Sequence, residues 1–292
     1  MKTPLVSVVV PCYKHEKFLA RSLGSVAAQT YPHLEVIIND DCSPDGSVAE
    51  ITRIIASPHW QNRFAKRTKF FCFEKNQGAY NSINYGVQQA TGQIVTILNS
   101  DDVYHPERIE RMVQAMTREN SEFAFTGVRY IDAEDQDVTK TNPRAKRYCQ
   151  EQKNITRFPS VGFACLTFNM GISSGNFAFT KSLYERVGAF KHYLHCHDWD
   201  FLLRCLIQTE PCFIPEALYD YRFHGTNSFE TLHQEGVDES AELLRNYFEL
   251  VNAGWSLNSL APSALNWPSF YHVFVHWYNL RPFQPQHHLI AA

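Results

Sequence analysis

The sequence predicts an α/β protein built on a mostly parallel sheet with helices on both faces, and three observations predict it. The apolar runs at 5–10 and 94–98 are short, β-branched and nearly continuous, as in strands buried on both sides. Helix-sized amphipathic segments alternate with such runs through the first third of the chain, the pattern of parallel strands joined by crossovers. Two runs, 34–38 and 94–98, stop at adjacent carboxylates, Asp40-Asp41 and Asp101-Asp102. Two like charges side by side are costly to bury unless a cation neutralises them. Taken alone, Asp101-Asp102 ahead of Pro106 also fits an ordinary polar turn. Its recurrence after two parallel strands favours a binding edge, since ligands of open α/β sheets sit beyond the carboxyl ends of the strands.

The elements follow in order. The strand at 5–10 ends at Pro11-Cys12-Tyr13, and a helix over 16–29 turns Phe18, Leu19, Leu23, Val26 and Ala27 inward. After the strand at 34–38, Ser43-Pro44-Asp45-Gly46-Ser47 is a turn and helix start, with Val48, Ile51 and Ile55 at helical spacing. A strand at 68–73 leads through Asn76-Gln77-Gly78 to a helix over 79–90, with Gly92 expected as its left-handed cap. Beyond Asp102, a helix over 106–118 and a strand over 123–130 are expected, and the polar, weakly patterned 132–159 reads as a long surface loop. Ser173-Ser174-Gly175-Asn176 precedes a strand at 177–180, and Thr180 caps a helix ending at Gly188. His197-Asp198-Trp199-Asp200 opens an amphipathic helix, 213–222 is the last strand, and 239–251 is a helix followed by an aromatic segment. The expected organisation is 1–105 and 106–230 as two halves of one domain, with 231–292 as a C-terminal extension.

A formal charge of −3 argues against a nucleic-acid partner bound through a broad basic field. Aromatic residues make up 14%, which fits base or sugar stacking and equally a large aromatic core. The eight cysteines are scattered without a C-x-x-C pair, so they read as reduced thiols. A strand from residue 6 leaves no room for a signal peptide, and no run of about 18 apolar residues spans a bilayer, so a cytoplasmic setting is expected. The segment 267–283 either caps the core, meets a partner subunit, or lies at the inner face of a membrane. His192, His195, Cys196 and His197 lack the paired spacing of a structural zinc site.

In order and in register, residues 5–228 resemble the family 2 glycosyltransferases. The resemblance is carried by Val6-Ser7-Val8-Val9-Val10-Pro11-Cys12-Tyr13, Asp40-Asp41-Cys42-Ser43, Asn76-x-Gly78 with Asn84-x-Gly86, Asn99-Ser100-Asp101-Asp102, His197-Asp198-Trp199-Asp200 with Arg204, and Tyr221-Arg222-x-His224-x-x-Asn227-Ser228. It implies the Rossmann-like GT-A fold, an α/β/α sandwich around a mostly parallel mixed sheet. It also implies transfer of a sugar from a nucleotide diphosphate donor, with inversion, to a saccharide or lipid-linked acceptor in polysaccharide or glycoconjugate synthesis. By the same resemblance Asp102, with His224, would hold Mn²⁺ or Mg²⁺ against the diphosphate, and Asp101 would accept from the ribose. Asp41 would accept from a uracil-type ring N–H, Pro11 and Tyr13 would frame the base, and Asn76, Gly78, Asn84 and Arg222 would complete the donor side. Asp198 would be the general base, with Trp199 and Asp200 on the acceptor side.

Three departures stand out: His197 where an acidic residue is usual, Ser82 where a basic one is frequent, and Cys42 in place of a common glycine. The first two leave room for a nucleotide-sugar binding module that has lost transfer. A nucleotidyltransferase or phosphohydrolase using the same strand-end carboxylates is the third reading, against which stands the lack of a glycine-rich phosphate loop after the first strand.

Overall fold

A computed structural model describes residues 3–225 and 234–284, with residues 234–237 described by backbone alone. Asn227 and Ser228 of the last motif lie outside the described residues. One eight-stranded sheet runs in the order β3-β2-β1-β4-β7-β6-β8-β5. β1 (Val6–Cys12), β2 (Leu34–Asp40), β3 (Thr68–Cys72) and β4 (Ile94–Ile97) are parallel, Val8 standing opposite Val36 and Thr96. β7 (Ala178–Thr180) pairs antiparallel with both β4 and β6 (Phe123–Ile131), and β8 (Cys212–Arg222) pairs parallel with β6. The short β5 (Val103–Tyr104), absent from the sequence reading, lies antiparallel on β8 and brings the chain just after Asp102 against the end of β8.

Two hydrophobic cores explain the near-continuous apolar strands, because successive residues feed opposite faces. Val8 and Val10 pack with α1 (Glu16–Ala27), α2 (Ser47–Ile55), α3 (Pro58–Phe64) and α5 (Arg108–Glu119) through Leu19, Ile51, Trp60 and Ile109. Val9 packs with α4 (Ala79–Gln89), α7 (Val161–Thr167), α8 (Lys181–Val187) and α9 (His197–Gln208) through Ile83, Phe163, Leu183 and Phe201. Helices on both faces make the expected α/β/α sandwich. α10 (Gln234–Asn252) and α11 (Tyr271–Trp277) join this second core, and Trp267, Phe270 and Phe274 close on Phe163 with ring centroids 5.3, 5.3 and 4.7 Å away. The C-terminal aromatic segment is therefore part of the packed body.

The structure corrects two local readings. α6 (Pro143–Asn154) lies within the stretch read as a surface loop. Its pattern is faint because, among its residues, only Ala145 and Gln152 are buried, while Asn142 caps it by accepting from the Arg144 and Ala145 amides at 2.9 and 3.2 Å. Gly92 is not a left-handed cap, a role that Gly188 does fill at φ +82°. A Cβ on Gly92 would stand 2.6 Å from the Leu5 carbonyl oxygen, so the glycine is there for the close approach of β1.

Candidate active site

The carboxyl ends of β1, β2 and β4 open into a cavity of about 340 Å³. Pro11, Tyr13, Asp41, Asn76, Gly78, Asp101, Asp102, Asp198 and His224 all line it, although they come from loops spread along most of the chain. The parallel register of β1, β2 and β4 places the first loops side by side, and the first turn of α9 supplies Asp198. The phenol of Tyr221 is pushed far up, chiefly by burial and then by Asp102, Asp101, Tyr148 and Asp198. The two acids at the end of β4 and the acid at the start of α9 thus act on one hydroxyl.

The paired acids differ in how far the protein already engages them. Asp102 is fully engaged by the protein: Oδ1 accepts from the Arg222 amide at 2.7 Å, and Oδ2 accepts from Asn99 Nδ2 at 3.2 Å and from the Tyr219 hydroxyl. Burial and the neighbouring Asp101 push its carboxyl well up, against these three donors. Asp101 has the free capacity. Its Oδ2 lies 2.9 Å from His224 Nε2 and 3.8 Å from His15 Nε2, while its buried Oδ1 has no hydrogen-bond partner among the described residues. Burial alone would raise the Asp101 carboxyl; the His15 and His224 rings outweigh it and hold it below its ordinary value. A buried carboxylate with one oxygen beside two imidazoles and the other idle fits a divalent cation, with Asp101 and His224 as the residues that would hold it.

On the other side of the cavity, Asp41 accepts the backbone N–H of Gln77 at 2.7 Å on one oxygen and of Gly78 at 2.9 Å on the other. Each carboxylate oxygen accepts more than one bond, so Asp41 both anchors the loop after β3 and keeps acceptor capacity toward the cavity. Asn76 Nδ2 donates to the Asp41 carbonyl at 3.2 Å. Cys42 next to it has φ +62°, which explains why glycine suits this position. Cys42→Gly is expected to stabilise the fold by about 1 kcal/mol, read as a rise in thermal midpoint.

Four of the expected residues have protein partners. Asn84 is turned into a joint between α4 and the segment after α8, donating to the Phe190 carbonyl at 2.8 Å and accepting from the Phe190 amide at 2.9 Å. The Trp199 indole donates to the Cys165 carbonyl at 2.8 Å and its partly buried ring packs against the core. Asp200 is buried and paired with Arg204 at 2.8 Å, the i,i+4 partner on α9. Arg222 is buried with its guanidinium on protein acceptors: Nε to the Asp101 carbonyl and Nη1 to the Asp132 carbonyl, each at 2.7 Å, and Nη2 to Asp135 at 2.5 Å. These bonds tie the end of β8 to the acidic loop and to the 132–135 turn.

Residues that sequence reasoning passed over complete the site. His15 and Ser100 flank Asp101, and Ser173 accepts from Asn99 Nδ2 at 2.7 Å. Glu239 of α10 accepts the backbone N–H groups of Leu194, His195 and Cys196 at 2.7, 2.9 and 3.1 Å, holding the loop that delivers Asp198. No local signal marks Glu239, since its partners are distant in sequence. Glu239→Ala is expected to speed amide exchange at these three positions by about 10-fold or more, measured by hydrogen exchange, because bonds to a charged acceptor are lost. His197 and Ser82, the two charge departures, also line the cavity.

Comparisons with known proteins bear on the family and the fold. The model of the family described as Glycosyl transferase family 2 matches residues 7–184. An uncharacterized glycosyltransferase of Rickettsia typhi is 25% identical over 78% of this chain and 67% of its own length. TuaG of Bacillus subtilis, a glycosyltransferase named for teichuronic acid biosynthesis, is 35% identical over 42% of this chain and 46% of its own. Among solved structures, S. aureus TarS 1–349 in complex with UDP-GlcNAc superposes with a TM-score of 0.63 at 16% identity, over 94% of this chain and 80% of that one. The Pyrobaculum calidifontis mannosyltransferase PcManGT, in complex with GDP-Man and Mn²⁺, gives a TM-score of 0.64 at 17% identity, over 96% and 70%. These likenesses establish the fold as GT-A.

Proposed function

Because the chain belongs to glycosyl transferase family 2, we propose that it transfers a sugar from a nucleoside diphosphate sugar, a uridine diphosphate sugar in the first instance, to a hydroxyl of a saccharide or lipid-linked glycan. The observation that carries this reading is the convergence of Asp41, Asp101 and Asp198 on one cavity. Asp41 offers an acceptor for a uracil-type ring N–H, between Pro11 and the partly exposed Tyr13 ring. The complexes of TarS with UDP-GlcNAc and of PcManGT with GDP-Man and Mn²⁺ support a nucleotide-sugar donor.

Asp198 is the base of the proposed reaction. Its Oδ1 accepts the Trp199 amide at 2.7 Å, which orients a carboxylate that lines the cavity. That hydroxyl gives its proton to Asp198 as its oxygen bonds to the anomeric carbon. The bond from that carbon to the diphosphate oxygen breaks, and its electron pair leaves with the nucleoside diphosphate. A divalent cation held by Asp101 and His224 would stabilise the negative charge gathering on this leaving group. Asp41 and Asp102 are tied to protein donors, which leaves Asp198 as the acid placed to take the acceptor proton. In this reading the displacement is direct and inverts the anomeric configuration.

A peripheral membrane contact through the C-terminal segment belongs to the same proposal, supported by the exposed side chains of Trp255, Leu257, Leu265 and Trp277. Among the described residues no helix is long and apolar enough to cross a membrane. Liposome flotation with and without residues 261–292 tests it, loss of binding on truncation being the expected result.

The function itself is tested by screening nucleotide sugars for nucleoside diphosphate release with a panel of acceptors. Release from a UDP-sugar, abolished by EDTA and restored by Mn²⁺, is expected. Release of sugar 1-phosphate, or of no nucleoside diphosphate from any donor, would overturn the reading.

A further inference from the structure

We propose that His15 is a third protein ligand of the divalent cation. The resulting set of two imidazoles and one carboxylate makes the site select a first-row transition ion, Mn²⁺ in the first instance, over Mg²⁺. This deepens the glycosyltransferase reading and rests on it for the expectation that a cation binds.

The ligand atoms offered by His15, Asp101 and His224 all lie within 4.8 Å of one another. His15 Nε2 stands 3.8 Å from Asp101 Oδ2, beyond hydrogen-bond reach, so the ring is not placed there to bond the carboxylate directly. Two ligands about 2.1 Å from a shared ion lie roughly 3–4 Å apart, which is the separation observed. The other nitrogen has a partner for the metal-binding tautomer. His15 Nδ1 is 2.8 Å from the hydroxyl of Ser100, which is buried at the strand end, and donation of Nδ1–H to that oxygen leaves Nε2 as a bare lone pair facing Asp101.

The surroundings hold both rings in place. Phe18 packs against His15 at 6.0 Å and His224 at 5.1 Å between centroids, and the two imidazoles meet edge to face at 5.6 Å. The idle Oδ1 of Asp101 leaves the carboxylate with ligand capacity that its contact with His224 through Oδ2 does not use.

Selectivity follows from donor chemistry. Mg²⁺ prefers oxygen ligands and gives up water reluctantly, whereas imidazole suits the transition ions. A site whose protein donors are mostly nitrogen therefore disfavours Mg²⁺. The sequence reading paired His224 with Asp102 and missed His15, which sits in an unremarked loop after β1.

The test reads metal binding and not transfer. Mn²⁺ is titrated into the full chain without donor, followed by electron paramagnetic resonance, and directly bound nitrogens are counted by pulsed methods. Two imidazole nitrogens are expected in the wild type and one in His15→Ala. Mn²⁺ affinity is expected to fall at least about 10-fold in that variant, while Mg²⁺ affinity changes by less than about 3-fold. Ser100→Ala, which keeps the ring and frees its tautomer, is expected to weaken Mn²⁺ binding by a smaller factor and serves if His15→Ala does not fold. One bound nitrogen in the wild type, or an unchanged count and affinity in His15→Ala, overturns the proposal. The nitrogen count stands or falls apart from the donor screen, so failure of one reading is distinguishable from failure of the other.

Discussion

Asp198→Asn is expected to lower kcat by about 10²–10⁴-fold, the contribution of a positioned general base, while nucleotide affinity changes by no more than about 2-fold. The asparagine keeps the shape and the Trp199 contact but cannot take the acceptor proton. A pH signature accompanies this. Burial raises the Asp198 carboxyl above its ordinary value, while His197, the Trp199 amide and Asn169 pull it back without cancelling the rise. Only the ionised form works as a base, so kcat/KM is present above this raised value and is lost as pH falls through it. The acid limb therefore lies above the ordinary carboxylate range. His197→Glu replaces a cation-capable neighbour with a like charge and is expected to move the limb further up. Steady-state rates across pH check both statements, and an Asp198→Asn enzyme with most of its activity intact would remove the base assignment.

The second large effect separates the two neighbouring acids. Asp101→Asn is expected to cost about 10²–10³-fold in turnover and to weaken Mn²⁺ binding, with little change in folding stability, because it removes the carboxylate that faces His15 and His224. Asp102→Asn is expected to destabilise the fold by about 2–4 kcal/mol, because an amide group must then face one of the donors that the carboxylate now accepts: the Arg222 amide, Asn99 or the Tyr219 hydroxyl. Urea unfolding and Mn²⁺ titration of both variants give the comparison. A stable Asp102→Asn protein that has lost its metal would restore the roles first read from the sequence.

The different engagement of the two acids shows where sequence reading runs out. β1, β2 and β4 were legible because both of their faces are buried and each ends abruptly in polar residues, and the cavity at their tips was legible for the same reason. Which of Asp101 and Asp102 faces the ligand depends on Tyr219 and Arg222 at the end of β8, and no local pattern carries that pairing. Asn84, Asp200 and Arg222 were rightly singled out as special polar residues, yet their partners are protein groups: Phe190, Arg204 and the 132–135 turn. α6 was missed because periodicity reports buried apolar residues and this helix buries few, although Asn142-Pro143 was a start signal in plain view. Glu239 and His15 were missed because a charged or polar residue outside a motif looks like surface until its partners are known.

The central claim is that a single acid, Asp198, activates the acceptor for direct attack on a nucleotide sugar in one cavity. The configuration of the newly formed glycosidic bond tests it most directly. With an α-linked UDP-sugar as donor, proton NMR of the fresh product is predicted to show the β-anomer, and an α-linked product would contradict the mechanism.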